Sequence, residues 1–366
     1  MPTEKIALLA LKSIAGIGDV FAKKIIQQAG SAEAVFHEKP SQLLHLLGGN
    51  ANLVKKIKSK SGFDFAENEM ALLVKNNGVM HSCFDPAYPD RLRHCADSPL
   101  YLFGKGNLSW TQRRHISIVG TRNCTPQGVE LTKKIIAELA AFNPVIVSGF
   151  AYGIDIAAHL GAMDQQLETI GVLAHGLNQL YPPSHKKHQA EMEQNGGFLT
   201  EFCTYAVPDR DHFVRRNRIV AGMSEATVVI ESAERGGSLI TAQMANDYSR
   251  DVFALPGRTT DAVSAGCHWL IKTQRAQLVT SGAEIAYHLG WIQDELKPKP
   301  VQKKLFVQLE PQEQILFDIL QNGGQQELDL LALSAQLPIH QVSSVLITLE
   351  LKGMVRPLPG KRFEAI

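Results

Sequence analysis

The residues best suited to chemistry lie in the segment Ser117–Gly128, where an apolar run ends on Gly120 and is followed by Thr121 and Arg122. This pattern predicts a strand, a tight turn that presents an arginine, and then a helix. Backbone N–H groups, a helix N-terminus and a guanidinium would meet at this turn, and together they suit a phosphate. The segment lacks the G-x-G-x-x-G pattern of dinucleotide-binding turns, so the phosphate need not belong to a small cofactor.

Two further strand–turn–helix segments repeat this arrangement. They supply the candidate residues Ser148, Gly149, Gly153, Gly236, Gly237, Ser238 and Thr241. Their backbone N–H groups and hydroxyls could add to the first phosphate site. Three convergent anion sites exceed what one mononucleotide needs. The pattern therefore predicts a polymer with repeating phosphates.

The densest cationic run in the middle of the chain is formed by Arg215, Arg216, Asn217 and Arg218. Guanidinium forks suit phosphate oxygens and also stack on bases. We expect an anion contact here, and a structural carboxylate pair is the alternative. On a helix, Arg215 and Arg218 share one face, whereas Arg216 points about 100° away from Arg215. The sequence leaves open which face meets the ligand.

Other titratable residues point to structure rather than to catalysis. Asp155 and His159 are four residues apart and share a helical face, which fits an acid–base pair or, as we favour, a buried hydrogen bond that holds the turn. His185 and His188 have no carboxylate or cysteine at a matching interval, so they indicate a basic surface patch rather than a metal site. Lys186, in the same patch, is a candidate nucleic-acid contact. We predict no catalytic residue, no metal and no cofactor, because no nucleophile–base set or P-loop lysine motif is present.

The elements that must position these residues follow from the pattern of apolar runs. The predicted strands are Ile116–Val119, Val145–Val147, Thr169–Leu173, Phe198–Thr200, Thr227–Ile230, Val252–Ala254 and Gln277–Val279. Helical segments separate most of them. Near-continuous apolar strands that alternate with helices predict an α/β fold, a Rossmann-like parallel sheet covered on both faces. Most of these strands end in small residues, at the edge where such sheets bind ligands.

Four segments are predicted along the chain: a helical domain at 1–66, the α/β core at 67–297, a linker at 298–310 and a winged-helix domain at 311–366. The turn Gly16-Ile17-Gly18 resembles a helix-hairpin-helix element, which could contact a DNA phosphate or serve only for packing. Residues 1–66 carry a net charge of +4 and the core carries −3. A nucleic-acid contact in the core therefore requires a local cluster of cations.

Bulk composition indicates a cytoplasmic protein of 366 residues with a net charge of +1. Its five cysteines are an odd number without a C-x-x-C pair, which favours reduced thiols. No segment approaches the length of a membrane span, and the apolar run Ile6–Leu11 is too short for a signal peptide.

The chain resembles the DprA/Smf family of DNA-processing proteins. The motifs that carry the resemblance are Tyr88-Pro89, Ile118-Val-Gly-Thr-Arg122, Ser148-Gly-Phe-Ala-Tyr-Gly-Ile-Asp155 with Ala158-His159, Tyr181-Pro182, Arg216-Asn-Arg-Ile219, Gly236-Gly-Ser-Leu-Ile-Thr-Ala242, Ala254-Leu-Pro-Gly257 and Ser264-Ala-Gly-Cys267. They run in order across about residues 88–275. The helical and winged-helix segments at either end match the family less specifically.

The resemblance implies a core that binds single-stranded DNA, forms a homodimer, protects incoming DNA and promotes RecA loading in natural transformation. Tyr152 stands where a basic residue is frequent in the family, so it is not counted as a DNA contact. Thr121 replaces a frequent serine and keeps the hydroxyl. Phe150, Tyr152 and Phe213 flank the proposed anion sites, and each could offer a stacking face for a base or belong to the core.

Two enzyme classes are the rivals. Nucleoside-monophosphate phosphoribohydrolases of the lysine-decarboxylase-like group have a similar fold, a Gly-Gly phosphate turn and a catalytic glutamate. Glu231 and Glu234 precede Gly236-Gly237 here, but the proline and the following threonine of that group's motif are missing. A dinucleotide-binding oxidoreductase is the second rival, and the absent glycine fingerprint disfavours it.

Overall fold

The computed structural model describes residues 3–109, 113–291, 309–358 and 362–365. Contacts divide the chain into two compact units, Met1–Asp294 and Glu295–Ile366. The predicted boundaries of the four domains stay a prediction. Residues 298–308, most of the predicted linker, lie outside the described residues.

Six helices open the first unit: α1 (Thr3–Ser13), α2 (Asp19–Ala29), α3 (Ala32–His37), α4 (Pro40–Leu46), α5 (Ala51–Lys58) and α6 (Phe63–Lys75). Gly16, in the turn between α1 and α2, has φ +101°, a conformation that glycine adopts readily. Lys12 and Asp19 form an ion pair of 2.7 Å across this turn. Asp19 Oδ1 also accepts the N–H of Leu100 at 3.1 Å. The start of α2 therefore packs against the core, which favours the packing role over the phosphate contact.

A nine-stranded sheet forms the centre of the first unit. Its strands are β1 (Val79–Ser82), β2 (Tyr101–Gly106), β3 (His115–Val119), β4 (Val145–Ser148), β5 (Thr169–Val172), β6 (Gly196–Thr200), β7 (Ala226–Val229), β8 (Asp251–Ala254) and β9 (Gln277–Leu278). Their order across the sheet is β1-β2-β6-β5-β4-β3-β7-β8-β9. The strands from β6 to β9 in this order run parallel, and β1 and β2 are antiparallel additions at one edge. Each strand predicted from the sequence is present, and the predicted fold class is confirmed.

Helices cover both faces of the sheet. They are α7 (Asp90–Arg93), α8 (Pro126–Leu139), α9 (Ile154–Asp164), α10 (Gln189–Gln194), α11 (Arg210–Met223), α12 (Gly237–Asp247), α13 (Ala265–Lys272) and α14 (Gly282–His288). Successive side chains of a strand point to opposite faces. In β3, Ile116 and Ile118 pack in one core with α8, α9 and α14. Ser117 faces the other side, where its hydroxyl donates to Val220 O of α11 at 2.6 Å.

The direction of winding changes at β3. From β3 the chain passes through β4, β5 and β6 in one direction across the sheet, and then returns to β7 on the other side of β3. The connections that leave β3 and β7 therefore diverge, and a crevice opens beyond the carboxyl ends of these two strands. Such a switch point is where open α/β sheets bind ligands.

The second unit is a small winged-helix domain. Its elements are α15 (Pro311–Gly323), β10 (Gln326–Glu327), α16 (Leu328–Ala335), α17 (Ile339–Leu351), β11 (Val355–Leu358) and β12 (Arg362–Ala365). The three strands form an antiparallel sheet in the order β10-β12-β11, and Leu316, Leu346 and Val355 belong to a separate core. Among the described helices, none alone has the length and apolarity to cross a membrane, although α16 and α17, bent by 105°, meet those two requirements as a pair.

Candidate nucleic-acid interface

The carboxyl ends of β3 and β7 open into a cleft of about 930 Å³. The turns after β3, β4 and β7 and one side of α11 form its walls. The residues predicted from the sequence that line it are Gly120, Thr121, Arg122, Gly149, Arg216, Asn217, Gly236, Gly237, Ser238 and Thr241. The fold thus brings four separate segments of the chain to one site.

Arg122 is exposed on the turn that follows β3. Gly120 permits this turn, because a Cβ there would lie 2.5 Å from a side chain of α9. The N–H of Thr121 donates to Glu231 O at 2.7 Å and ties the turn to the end of β7. The guanidinium carbon of Arg122 lies 5.1 Å from the centre of the Phe213 ring, within cation–π range. Within the described residues Arg122 forms no ion pair, so its charge is available to an anion.

The N-terminus of α8, which the sequence predicted as part of the phosphate site, is occupied by groups of this chain. The Thr125 hydroxyl accepts the N–H of Gly128 at 3.0 Å. The Glu231 carboxylate accepts the N–H of Thr125 at 2.9 Å and also its hydroxyl. A carboxylate at this position already compensates the partial positive charge of the helix end. The expectation that a phosphate meets this helix end is therefore wrong, and Arg122 remains as the anion-binding group of the motif.

The N-terminus of α12 is different. Its N-cap, Gly236, has no side-chain hydrogen bond, and nothing lies within 4 Å of a Cβ built on Gly237. By contrast, the Asp209 carboxylate accepts a backbone N–H at the start of α11 at 2.9 Å. The first turn of α9 carries Asp155, whose carboxylate accepts the N–H of Ala151 in the preceding turn at 3.4 Å. Among the described helices that border the cleft, α12 therefore presents a positive end with neither a capping side chain nor an acidic residue in its first turn.

Arg216 forms the floor of the cleft and is 4% exposed. Its guanidinium donates to Gly149 O and Val172 O at the ends of β4 and β5, and its Nε donates to Asn217 Oδ1 at 3.2 Å. A Cβ at Gly149 would lie 2.5 Å from the guanidinium, so the close approach requires glycine. Burial lowers the pKa of Arg216 to about 10, and the Asp155 carboxylate opposes that shift. Arg216 therefore stays charged at neutral pH and keeps a positive charge beneath the cleft.

Arg215 and Arg218 lie on another side of α11, outside the lining of the cleft. Arg218 Nη2 lies 2.6 Å from Glu201 Oε2, and Arg215 donates to the same oxygen. The side chains of Arg218 and Glu201 are 7% and 2% exposed. Asp19 of α2 lies 3.6 Å from both guanidinium groups. The carboxylate pair, which was the alternative at the level of the sequence, thus replaces the favoured anion contact for these two arginines.

Three other predicted contacts also lie outside the cleft. The buried Ser148 hydroxyl donates to a backbone carbonyl of β3 at 2.6 Å. Gly153 has φ +77°, and a Cβ there would lie 2.2 Å from Thr121 O, so its role is to permit the turn. Lys186 is exposed on the short 3₁₀ helix Pro183–His188. Burial gives Ser148 a structural role, whereas the contacts of Gly153 and Lys186 with nucleic acid stay predictions.

Phe213 and Tyr181 give the cleft an aromatic surface. Their ring centres are 6.0 Å apart, and Tyr181 is 41% exposed. Phe213 also lies 5.1 and 5.9 Å from the guanidinium carbons of Arg122 and Arg216. An aromatic ring flanked by cations suits a base stacked beside its phosphate. Phe150 is completely buried, so of its two alternatives the structure supports the one in which it belongs to the core.

Sequence reasoning missed Arg210 and Arg235, which are exposed and line the cleft. Acidic neighbours concealed them, because Arg210 lies between two aspartates and Arg235 follows Glu234. Adjacent charges cancel in a linear count, although Asp211 and Glu234 do not line the cleft. The signal that could have identified both arginines is their position at the start of a helix beyond a predicted strand.

The candidate catalytic groups are engaged elsewhere. His159 Nδ1 lies 2.7 Å from Thr169 Oγ1, and burial lowers the pKa of His159 to about 3. Asp155 accepts the N–H of Ala151 in the turn before α9, so Asp155 and His159 have separate partners and form no acid–base pair. Glu231, which the rival enzyme class would need, caps α8. Among the described residues, no group of three His, Cys, Asp or Glu side chains is placed to hold a metal ion.

Comparison with known proteins gives matches across both units. The family model for DNA recombination-mediator protein A matches residues 79–290, and that for the DprA winged helix domain matches residues 303–361. The DNA processing protein DprA of Streptococcus pneumoniae is 41% identical over 204 residues, which are 56% of this chain and 72% of that protein. Protein Smf of Escherichia coli is 36% identical over 299 residues, or 80% and 79% of the two chains.

Two solved structures resemble the chain as well. The X-ray structure of DprA from Streptococcus pneumoniae matches with a TM-score of 0.66 and 33% identity, covering 78% of this chain and 98% of that one. A structure of DNA processing protein A from Helicobacter pylori matches with a TM-score of 0.53 and 28% identity, covering 59% and 96%. That second structure concerns the single-stranded DNA binding mode of the Helicobacter pylori protein. On the family models and relatives together, the chain belongs to the DprA/Smf family of DNA recombination mediators.

Proposed function

We propose that this chain binds single-stranded DNA in the cleft at the carboxyl ends of β3 and β7. The observation that carries the proposal is Arg122, without an ion-pair partner among the described residues, 5.1 Å from the ring of Phe213. A phosphate at Arg122 and a base against Phe213 would be one nucleotide unit of the ligand. The uncapped N-terminus of α12 is available to a further phosphate in the same cleft.

The charges around the cleft support a polyanion. Its charged lining residues are Arg122, Arg210, Arg216 and Arg235, against Asp155 and Asp209. This positive excess stands in a core whose net charge is −3. A local positive cluster on an acidic domain attracts phosphates to one place instead of to the whole surface.

The aromatic lining favours a single strand over a duplex. Stacking on Phe213 requires a base whose face is not covered by its neighbours, and an unpaired, unstacked strand supplies such bases. Backbone N–H groups and arginines recognise phosphates without reading sequence. We therefore expect binding with little sequence preference.

Promotion of RecA loading in natural transformation, protection of incoming DNA and a homodimeric state are the finer parts of the proposal. Membership of a family of recombination mediators supports them. A mediator that hands DNA to RecA acts where RecA is, so a cytoplasmic location belongs to the same proposal. We propose that the chain acts by binding, without catalytic turnover, because Glu231 and His159 are engaged within the fold.

Fluorescence anisotropy with labelled oligonucleotides tests the central claim. The chain should bind a single strand more tightly than the matching duplex, and the affinity should fall as salt rises, because bound phosphates release counterions. Different base compositions should give similar affinities. Equal affinity for single strand and duplex, or binding that is independent of salt, would overturn the proposal.

A further inference from the structure

A second groove, of about 610 Å³, adjoins the cleft at Arg122, which lines both. The turn after β3, the start of α9 and one side of α8 form it. Its charged lining residues are Arg122 and Lys133, and no carboxylate is part of its lining among the described residues. Lys133 pairs with Asp164 at 2.8 Å, so Arg122 is the cation that remains without an ion pair in this groove among the described residues. A chain of phosphates held at Arg122 can therefore continue from the cleft into the groove.

Tyr152 forms one wall of this groove, and 45% of its surface is exposed. The edge of its ring packs against His185, with ring centres 5.0 Å apart and an angle of 74° between the planes. Its hydroxyl lies 3.3 Å from Ser184 Oγ. The two contacts orient the ring on the 3₁₀ helix Pro183–His188, and a considerable part of it stays open to a ligand.

The contacts of Tyr152 with Ser184 and His185 also bring the groove close to Lys186, a cation that does not line the cleft. Lys186 follows His185 on the 3₁₀ helix and is exposed. A strand that leaves the cleft at Arg122 and passes Tyr152 would run toward Lys186. This path would explain the predicted contact of Lys186 with nucleic acid, although Lys186 does not line the cleft.

We propose that the groove at Tyr152 is a second subsite for the same DNA strand, in which Tyr152 stacks on a base next to those held in the cleft. The inference rests on the proposed function, because its occupant is the continuation of that strand. Tyr152 supplies a sequence-tolerant stacking face in this subsite, and Arg122 holds the phosphate between the two subsites. The groove lengthens the stretch of DNA that one protomer holds.

Oligonucleotides of graded length, from about 6 to about 20 nucleotides, test the subsite. Tyr152→Ala should weaken binding of the long strands roughly fivefold or more, since loss of one base–aromatic stack costs at least about 1 kcal/mol. The shortest strands, which fill only the cleft, should bind as they do to the unchanged chain. Tyr152→Phe keeps the ring and should retain most of the affinity. Arg122→Ala should weaken binding at every length.

Protection of cysteines from alkylation gives a second readout that needs no mutation. Cys124 lines the groove, whereas Cys203, also partly exposed, lines neither the groove nor the cleft. A long single strand should slow iodoacetamide labelling of Cys124, measured by mass spectrometry, and leave Cys203 unchanged. A short strand should protect neither.

The outcomes separate the two proposals. Normal affinity of Tyr152→Ala at all lengths, or an unprotected Cys124 under saturating long DNA, while Arg122→Ala still weakens binding, overturns the subsite and leaves the cleft intact. Failure of the unchanged chain to bind single strands, or full affinity of Arg122→Ala, overturns the proposed function itself.

Discussion

At the scale of single residues, the three arginines of α11 show how neighbouring side chains acquire different roles. Arg215 and Arg218 hold Glu201, whereas Arg216 reaches the carbonyls at the ends of β4 and β5. The helical rotation of about 100° per residue is sufficient to separate them. Their common partner, Glu201, directly follows β6 and lies 14 and 17 residues before Arg215 and Arg218, outside the helix that carries them. Pattern reasoning therefore identified the group but could not assign its members.

Arg122→Ala should weaken single-strand binding by about 1–3 kcal/mol, the range of a hydrogen bond to a charged group. The reason is that Arg122 forms no ion pair among the described residues and therefore has its charge available for phosphate. Anisotropy titration of a folded variant measures the effect. Arg258, which is exposed and lines neither the cleft nor the groove, provides a matched control as Arg258→Ala. Equal affinities of the two variants would remove Arg122 from the site.

Arg218→Ala should lower the free energy of unfolding rather than the affinity for DNA. It would leave the buried Glu201 carboxylate without its best partner, and breaking a buried pair costs about 3–5 kcal/mol. Arg215 is 43% exposed, and Glu201 would still pair with Arg218 in the absence of Arg215. Arg215→Ala should therefore lower the free energy of unfolding by under about 1 kcal/mol. Urea unfolding compares the two free energies of unfolding. Similar losses for both variants would contradict this assignment.

At the scale of elements, the helix ends around the cleft decide where an anion can bind. The start of α8 carries the carboxylate of Glu231, and the starts of α9 and α11 carry Asp155 and Asp209. The start of α12 has no capping side chain. A carboxylate near a helix N-terminus disfavours a second anion there, and at α8 and α11 the carboxylates also accept N–H groups that a phosphate would use.

Gly237→Asp tests this reasoning, because it gives α12 the acidic start that the other helices have. Nothing lies within 4 Å of the added Cβ, so the fold should accept the side chain, and the helix should gain about 0.3–1 kcal/mol from the charge at its N-terminus. DNA affinity should fall by about 1 kcal/mol or more, roughly fivefold. Gly237→Asn has a similar shape without the charge and is the control in thermal unfolding and anisotropy titrations. A Gly237→Asp variant that binds DNA as tightly as Gly237→Asn would show that α12 does not meet a phosphate.

The elements themselves follow closely from the sequence, and the site follows only in part. Apolar runs such as Ile116–Val119 predict buried parallel strands, because such strands need apolar residues on both faces. The switch point and the loops beyond it then follow from the order of strands and helices. The capping of α8 by Glu231 does not follow, since it depends on a carboxylate more than a hundred residues away in the chain. The exposed arginines Arg210 and Arg235 were missed because acidic neighbours cancel their charges in a linear count, although Asp211 and Glu234 do not line the cleft.

At the scale of the whole molecule, the winged-helix unit raises the question of a second DNA site. In helix–turn–helix proteins the recognition helix brings cations and polar side chains to the major groove. The corresponding helix here, α17, exposes Ile339, Ile347 and Leu351, which are 50%, 58% and 84% exposed. Lys352, directly after it, pairs with Glu313. The segment 298–366 has as many acidic as basic residues, so its general attraction to phosphates should be weak.

Deletion of residues 298–366 should therefore leave the affinity for single strands within about threefold of that of the full chain, under about 0.7 kcal/mol. The remaining core should fold, because its hydrophobic clusters are built from described residues of the first unit. The full chain should also bind duplex DNA no more tightly than the truncated chain does, because α17 exposes apolar side chains and a duplex is bound by cations. Anisotropy titrations of both proteins with single and double strands measure these affinities, and circular dichroism checks that the truncated chain is folded.

A folded truncated chain that loses tenfold or more in single-strand affinity, about 1.4 kcal/mol, would make the winged helix part of the DNA site. Unchanged affinity would instead leave the apolar face of α17 to a role other than DNA binding.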